Sequence, residues 1–402
     1  MKNIWLVTLL VMLFTSCTKV NSDEKLPSVD LLTPLNIVTK LPVVNIEGDA
    51  DEINHMMVRY NSPIEVATSI TIYGTNKEIL VQDDAVIEIR GVGSAAQEMK
   101  PLGIVFQHSF NNQEKQLIQP KVVAPGDDLK TIQNIRLRNS SQDYGYTMIK
   151  DLAYSEFALR TGFDLELKYG RAAHVFINSK YYGMHNLRTE VDRLALGYSL
   201  NVDSADITML KMNTYKKKLK YKEGNELLGR AFIQAIKDED VYAIRTYLDI
   251  ENFIDYIVFQ DYIGNEDWPH NNARAYSVNG SKFRFLLYDL DLATTRTKNF
   301  ILPEMEYDED HISIIYQILL KQDLQFQSQL KERQKYWYEK LSPALFNEIV
   351  DELAREIESE IPYLISRRGV PKNSFQWKLN LEQIKTDLEN KDRNNRKKYN
   401  IK

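Results

Sequence analysis

Between Asn265 and Thr294 the chain reads NEDWPHNNARAYSVNGSKFRFLLYDLDLAT, and this stretch holds the residue types best suited to chemistry. Trp268-Pro269 predicts an extended turn, because a residue before proline is pushed out of the helical region. Asp267, His270, Asn271 and Asn272 therefore fall on a loop. Asn279-Gly280 is a hairpin-type turn. Lys282–Leu287 then reads as a strand that ends at Asp289-Leu290-Asp291. Residues two apart in an extended chain share a face, so Asp289 and Asp291 are expected on one side and Leu290 on the other. An acid and a carboxamide pair on a loop, followed by two carboxylates at a strand end, make an all-oxygen donor set. Such sets suit Mg²⁺ or Mn²⁺ held together with substrate phosphates. Asp267 and Asn272 also stand at the spacing of the catalytic-loop Asp and the metal-binding Asn of protein kinases, although no His-Arg precedes Asp267. In that scheme an Asp on a later strand holds the metal, here Asp289 or Asp291. The bland alternative is a loop shaped by side-chain turns, beside a strand end capped by solvated carboxylates.

Other candidates are weaker. Arg90-Gly91-Val92-Gly93-Ser94 ends a strand in a glycine-bearing turn, and Lys100 follows. A permissive backbone with two cations can approach phosphates closely, although most such stretches are simply turns. Glu190 is placed to pair with Lys100, as a helix glutamate pairs with the phosphate lysine in protein kinases. The alternative for Glu190 and Asp192 is an ordinary acidic helix start. His174 lies in an apolar strand and reads as a satisfied core histidine, and His270 as a residue that shapes the loop or touches substrate. No Ser-His-Asp arrangement or zinc spacing is present.

The elements that must position these residues change character along the chain. Leu41–Ile46, Ile64–Tyr73, Ala85–Arg90 and Gly103–His108 read as strands, separated by short turns. Thr147–Thr161 reads as a helix stopped by Gly162. Arg171–Asn178 and Met184–Leu187 read as a hairpin turning at Tyr182-Gly183. Helices are expected at Leu227–Lys237, Val241–Leu248, from the N-cap Asp249 through Tyr262, and at Ile312–Leu320, Gln325–Leu341 and Ala344–Ser366. Trp337 and Tyr338 are expected to face the core, and a charged helical tail begins at Leu379. This is an α+β chain with a β-rich part at about 41–195 and a mainly helical part at about 196–402, with a cleft expected between them.

Hydrophobic content of 43% and charged content of 27% over 402 residues are those of a globular protein, and a formal net charge of -5 does not suggest a nucleic-acid partner. Lys2, the apolar run Ile4–Phe14 and small residues before Cys17 read as a secretory signal. They resemble a bacterial lipoprotein signal with Phe14-Thr15-Ser16-Cys17 as its lipobox. That resemblance implies cleavage of residues 1–16, lipid attachment at Cys17 and a tether over 17–40. The run is short for a membrane span. Cys17 is the only cysteine, so the remaining chain has no disulfide, thiol nucleophile or thiolate metal site.

Five stretches together resemble the CotH kinase family of bacterial spore-coat and surface proteins. They are Arg90-Gly91 with Ser94 and Lys100, and the Asp143 region with the helix Met148–Gly162. HVFINSKYYGMHNLRTEVD at His174–Asp192 is the third. FIDYIVFQDYIGNEDWPHNN at Phe253–Asn272 and FRFLLYDLD at Phe283–Asp291 are the most specific. The resemblance implies a two-lobed, atypical kinase fold transferring phosphate from ATP to a protein acceptor outside the cytoplasm. It makes Asp267 the catalytic-loop residue and Asn271 or Asn272, with Asp289 or Asp291, the Mg²⁺ or Mn²⁺ ligands. Arg90, Ser94, Lys100, Glu190 and Trp268 become the nucleotide side. Three positions depart from the family pattern: one Lys stands where a pair is common, Lys150 replaces a frequent Arg, and Thr189-Glu190 shifts the register of the usual Glu. The reading from a different class is a non-catalytic envelope protein that keeps the fold for binding or assembly.

Overall fold

A computed structural model describes residues 26–106, 134–168, 170–295 and 300–401. The signal segment, Cys17, the first part of the tether and the end of the strand expected at Gly103–His108 lie outside these residues. Among the described residues no helix is long and apolar enough to cross a membrane.

The architecture is mixed α+β, with strands concentrated in the first half and helices in the second. Seven strands, β1 (Val43–Gly48), β2 (Glu65–Tyr73), β3 (Ile79–Ile89), β4 (Leu102–Phe106), β5 (Asn134–Arg138), β6 (Gly170–Ile177) and β7 (Lys180–Thr189), close into a barrel in the order β1-β2-β3-β4-β5-β7-β6. Closure comes through β1, which runs antiparallel to β2 and parallel to β6, with Val43 opposite His174. The alternation of β2 is the period-two pattern read from its sequence, with Val66, Thr68, Ile70 and Ile72 buried. Val44, Ile70, Ile87, Ile104, Ile135 and Leu187, one from each of six strands, meet in the barrel core. Each such side chain contributes about 1.5–3 kcal/mol by leaving water.

Three features of this half depart from expectation. A helix, α1 (Ala50–Val58), packs on the barrel. Asp49 caps it by accepting from the N–H groups of Asp51 and Glu52, and only Ile53 and Met56 are buried, which leaves a faint periodic signal. β5 is a strand of five residues, two of them arginine. The β6–β7 hairpin turns at Asn178-Ser179, where both residues have left-handed backbones (φ 48° and 59°), rather than at Tyr182-Gly183. Tyr182-Gly183 instead lies inside β7, where the register slips against Val175 and Phe176. His174 is the satisfied core histidine expected, fully buried with Tyr181 Oη and Glu360 Oε2 each 3.0 Å from a ring nitrogen.

Helix α2 (Lys150–Thr161) lies between barrel and second half, and α3 (Arg193–Leu200) follows β7. The second half is not purely helical. β8 (Ile207–Asn213), β9 (Lys218–Glu223), β10 (Arg274–Val278) and β11 (Arg284–Leu286) form an antiparallel sheet in the order β11-β10-β8-β9. Around it stand α4 (Glu226–Lys237), α5 (Val241–Tyr247), α6 (Ile250–Ile263), α7 (Ile301–Met305), α8 (His311–Gln322), α9 (Leu324–Lys340), α10 (Pro343–Ile357), α11 (Ile361–Arg368) and α12 (Ser374–Tyr399). The helix expected at Ala344–Ser366 is two helices, because α10 ends at Ile357 and Pro362 opens the first turn of α11. Asp249 caps α6 as expected, accepting from Asn252 N–H, and Trp337 and Tyr338 are buried.

Candidate active site

The loop that carries Asp267 leaves helix α6, buried along its whole length except at Glu251, through Gly264, whose backbone is left-handed (φ 58°) and whose missing side chain leaves room for Lys391 of α12. Asn265 is buried and donates to Gln260 Oε1 at 3.1 Å. Trp268 is 2% exposed and meets the Tyr256 ring edge-on, 5.4 Å between centroids. The expectation that Trp268 contacts nucleotide is therefore corrected: its indole pins the loop to the core. Glu266 N–H reaches Leu292 O and Thr294 N–H reaches Ile263 O at 2.8 Å, which ties this loop to the segment carrying Asp289 and Asp291. Helix α12 buttresses the same place. Asn395 donates to Tyr262 O at 3.0 Å, and Tyr399 Oη donates to Asp261 at 2.8 Å.

On the loop, Asp267 Oδ2 accepts from the amide nitrogens of Asn271 at 2.9 Å and Asn272 at 2.8 Å. With those nitrogens committed, each Asn keeps its carbonyl oxygen as a possible cation ligand. Asn271 Oδ1 already accepts from Thr214 Oγ1 at 2.7 Å, so Asn272 is the better donor of the two.

Asp289 and Asp291 do share a direction while Leu290 is buried, but through a left-handed turn at Asp289 (φ 64°) rather than a continuing strand. What they share is a cation absent from the sequence reading. Arg138, at the end of β5, is 8% exposed; it ion-pairs with Asp289 and stands 3.5 Å from Asp291 and 3.8 Å from Asp151 of α2. Asp151 in turn meets Arg188 at 3.3 Å and accepts from Leu290 N–H at 2.8 Å. Burial alone would raise the Asp151 carboxyl, but Arg188 and Arg138 outweigh it and hold the group at about 2. Burial also works against Asp289, and Arg138 again pulls that carboxyl below its ordinary value. Burial raises Asp291, Arg138 opposes it, and repulsion from Asp289 and Asp151 adds to the rise, so Asp291 stands well above the carboxylate range. A carboxylate pair that one arginine only partly neutralises, in the same cleft lining as Asn272, fits a hard divalent cation that takes further oxygens from phosphates. Among the described residues no three His, Cys, Asp or Glu side chains form a metal cage by themselves.

These groups line one cleft of about 400 Å³ between the barrel and the second half. Asp267, Asn271, Asn272, Asp289 and Asp291 form one wall; Arg90, Arg136, Arg138 and the Gly91–Ser94 turn form the other. Gly91 has φ 94°, and a Cβ there would sit 2.3 Å from Ser94 Oγ, so the turn is closed to other residues. Asn139, fully buried after β5, fastens the turn by donating to Ser94 O at 3.0 Å and Met99 O at 2.6 Å.

Seven of the expected site residues thus meet: Arg90, Ser94, Asp267, Asn271, Asn272, Asp289 and Asp291. Lys100 does not join them. Its ammonium lies over the Tyr60 ring, 4.2 Å from the centroid. Nor is Glu190 its partner, since Glu190 accepts from Arg136 Nε at 2.6 Å. Burial would raise the Glu190 carboxyl, but Arg136, Lys168 and Arg274 hold it well below the usual range. Glu190 does position a cleft cation, but the cation is Arg136. Arg136 and Arg138 alternate with Ile135 and Leu137 in NIRLR, and that period-two pattern was the signal available for them.

The family model described as CotH kinase protein matches residues 87–394 of the chain. That span contains every residue of the cleft. No curated protein sequence matches the chain.

Proposed function

Starting from the fact that this chain belongs to the CotH kinase family, we propose that it is a metal-dependent kinase of the bacterial cell envelope, held to a membrane by lipid on Cys17 and moving phosphate from ATP to a protein acceptor. The observation that carries this reading is the convergence of Asp267, Asn272, Asp289 and Asp291 on one wall of a cleft whose other wall offers Arg90, Arg136 and Arg138. The barrel and the mainly helical second half serve as the two lobes around that cleft. Phosphoryl transfer needs little covalent help from protein; positioning and charge neutralisation supply most of the catalysis.

In this scheme Asp267 orients the acceptor hydroxyl and takes its proton. Its Oδ2 is fixed by two amides, which aims Oδ1 at the acceptor. Asn272, Asp289 and Asp291 hold Mg²⁺ or Mn²⁺, and the ion when bound neutralises phosphate charge. Arg90 and Arg136 meet phosphates from the barrel side, with Ser94 and the Gly91 turn giving close backbone approach. Arg138 keeps the two carboxylates in place before the metal arrives.

The test uses the full chain in detergent with γ-labelled ATP, Mn²⁺ or Mg²⁺, and an envelope-protein extract. The expected result is labelled protein with the parent and a sharp loss of metal-dependent nucleotide affinity with Asp289→Asn. Label released only as free phosphate would make the site a hydrolase. No metal-dependent nucleotide binding by calorimetry would favour the non-catalytic envelope protein. Cys17→Ala should abolish lipid labelling and release the chain from membranes; unchanged labelling removes the anchor from the proposal.

A further inference from the structure

Outside the cleft, the strongest charge feature is a row of cations across the second sheet. Arg274 in β10 lies opposite Lys211 in β8, and Lys211 lies opposite Lys220 in β9. The three therefore stand side by side on one face, on strands about 4.8 Å apart. Lys218, two residues before Lys220 on β9, shares that face, whereas Lys222 falls where the β8–β9 register slips. Like charges directly opposite one another weaken a sheet. Among the described residues no carboxylate forms an ion pair with Lys211, Lys218 or Lys220, whereas Lys222 has Glu223 at 2.7 Å. Burial and then the neighbouring Lys220, Arg274 and Lys222 lower the affinity of Lys211 for its proton. Lys211, Lys218 and Lys220 are thus uncompensated in a chain whose net charge is negative, while Arg274 at the end of the row donates to Val191 O and lies over the Tyr288 ring.

Its position gives it a use. The β8–β9 turn carries Thr214 and Tyr215 into the lining of the cleft, and Thr214 donates to Asn271, one of the two amides that hold Asp267. Tyr215 is 96% exposed at the tip. Helix α3 and the cluster Val191, Leu196, Met209, Tyr276 and Leu286 cover the far end of the same sheet face, so the cationic end is the one facing the cleft. The outer edge of β9 is partly closed, because Leu219 N–H donates to His311 Nδ1 and His311 N–H donates to Lys217 O. A bound chain therefore lies across the face and does not add a strand to the edge.

We propose that this face, centred on Lys211, Lys218 and Lys220, docks an acidic segment of the protein acceptor and leads its hydroxyl past Tyr215 to Asp267. This rests on the kinase reading of the cleft. An extended acidic peptide presents carboxylates at alternate residues about 6.6–7 Å apart, the same repeat as the lysines of β9. A membrane surface is the other source of negative charge, but the row leads through the β8–β9 turn to Thr214 and Tyr215 in the lining of the cleft, a path that a flat bilayer does not follow.

The experiment measures fluorescence anisotropy of two labelled serine peptides of equal length, one flanked by Asp and Glu and one by Lys and Arg, with the full chain in detergent and no nucleotide. The acidic peptide should bind about tenfold or more tighter, with affinity falling as salt rises. Lys220→Glu should weaken that binding while leaving the melting temperature equal or higher, because it turns a repulsive cross-strand pair into an attractive one. Lys218→Glu should weaken it too, and Lys331→Glu, at an exposed position of α9, should not. Equal binding of the two peptides, binding that survives Lys220→Glu and Lys218→Glu, or binding of phosphatidylglycerol vesicles with none of the acidic peptide each overturns the proposal. Because the assay contains no ATP, a failed phosphate-transfer assay leaves it standing. Phosphate transfer that prefers the basic peptide would keep the kinase reading and reject this one.

Discussion

The two walls of the cleft are built in opposite ways. The acidic wall comes from two short runs, 267–272 and 289–291, joined by a single hairpin. The cationic wall gathers Arg90 after β3 with Arg136 and Arg138 from β5, and holds Arg138 against carboxylates from α2 and from beyond β11. One wall is local in sequence; the other exists only once the barrel has closed. A candidate ligand surface and a structural ion network meet at Arg138, so substitutions on the two walls should fail differently.

The largest effect is expected at Asp267. Asp267→Asn keeps an oxygen for the Asn271 and Asn272 amides but removes the proton acceptor. Turnover should fall about 100- to 10,000-fold, with nucleotide affinity and melting temperature close to the parent. Phosphate transfer as fast as the parent, or an unfolded variant, would remove Asp267 from its role. Arg138→Met should do the reverse. It leaves Asp151, Asp289 and Asp291 buried without their shared cation and should cost about 3–5 kcal/mol in urea denaturation. Adding Asp291→Asn should recover part of that loss; simple additivity would mean the two are not coupled.

Acid titration separates the walls again. Asp151 binds its proton less tightly in the folded state, at about 2, than in the unfolded chain, near 3.8. Its contribution of about 2 kcal/mol is therefore present above pH 4 and is lost as pH falls from about 4 to 2. Asp151→Asn should flatten stability across that window, and an unchanged slope there would assign acid unfolding to other carboxylates. The smallest effect belongs to Lys100→Ala. With its ammonium on Tyr60, it should cost about 0.5–1 kcal/mol of stability and leave nucleotide affinity unchanged. A marked loss of nucleotide affinity would return Lys100 to the phosphate side.

The same contrast explains what could be read from the chain before its structure. Proline and Asn-Gly punctuation placed Asp267, Asn272 and the Asp289–Asp291 pair without tertiary information, because their separation is bridged by one hairpin. Long alternating strands such as β2 and capped helices such as α6 were legible for the same local reason. Arg138 was not, since its partners lie on α2 and after β11, and only strand pairing brings them together. Lys100 was paired with Glu190 by analogy with protein kinases, yet the barrel gives Glu190 to Arg136 and turns Lys100 toward Tyr60. The β8–β9 hairpin escaped notice because a lysine-rich strand carries little apolar pattern. Trp268 shows the limit from the other side: a residue next to Asp267 in sequence can belong wholly to the core.

Helix α12 sets an order in time. It supplies Lys391 beneath Gly264, Asn395 to Tyr262 and Tyr399 to Asp261, all at the root of the Asp267 loop, and Trp377 to Thr147 O before α2. A chain emerging from the ribosome or a translocation channel produces the Asp267 loop well before this brace. The barrel can fold while synthesis continues, as N-terminal units do. Until Ser374–Tyr399 arrives, the loop that would act on ATP has only its ties to α6 and to the Leu292–Thr294 segment, so a half-made chain carries every side chain of the cleft on a root that is only partly braced.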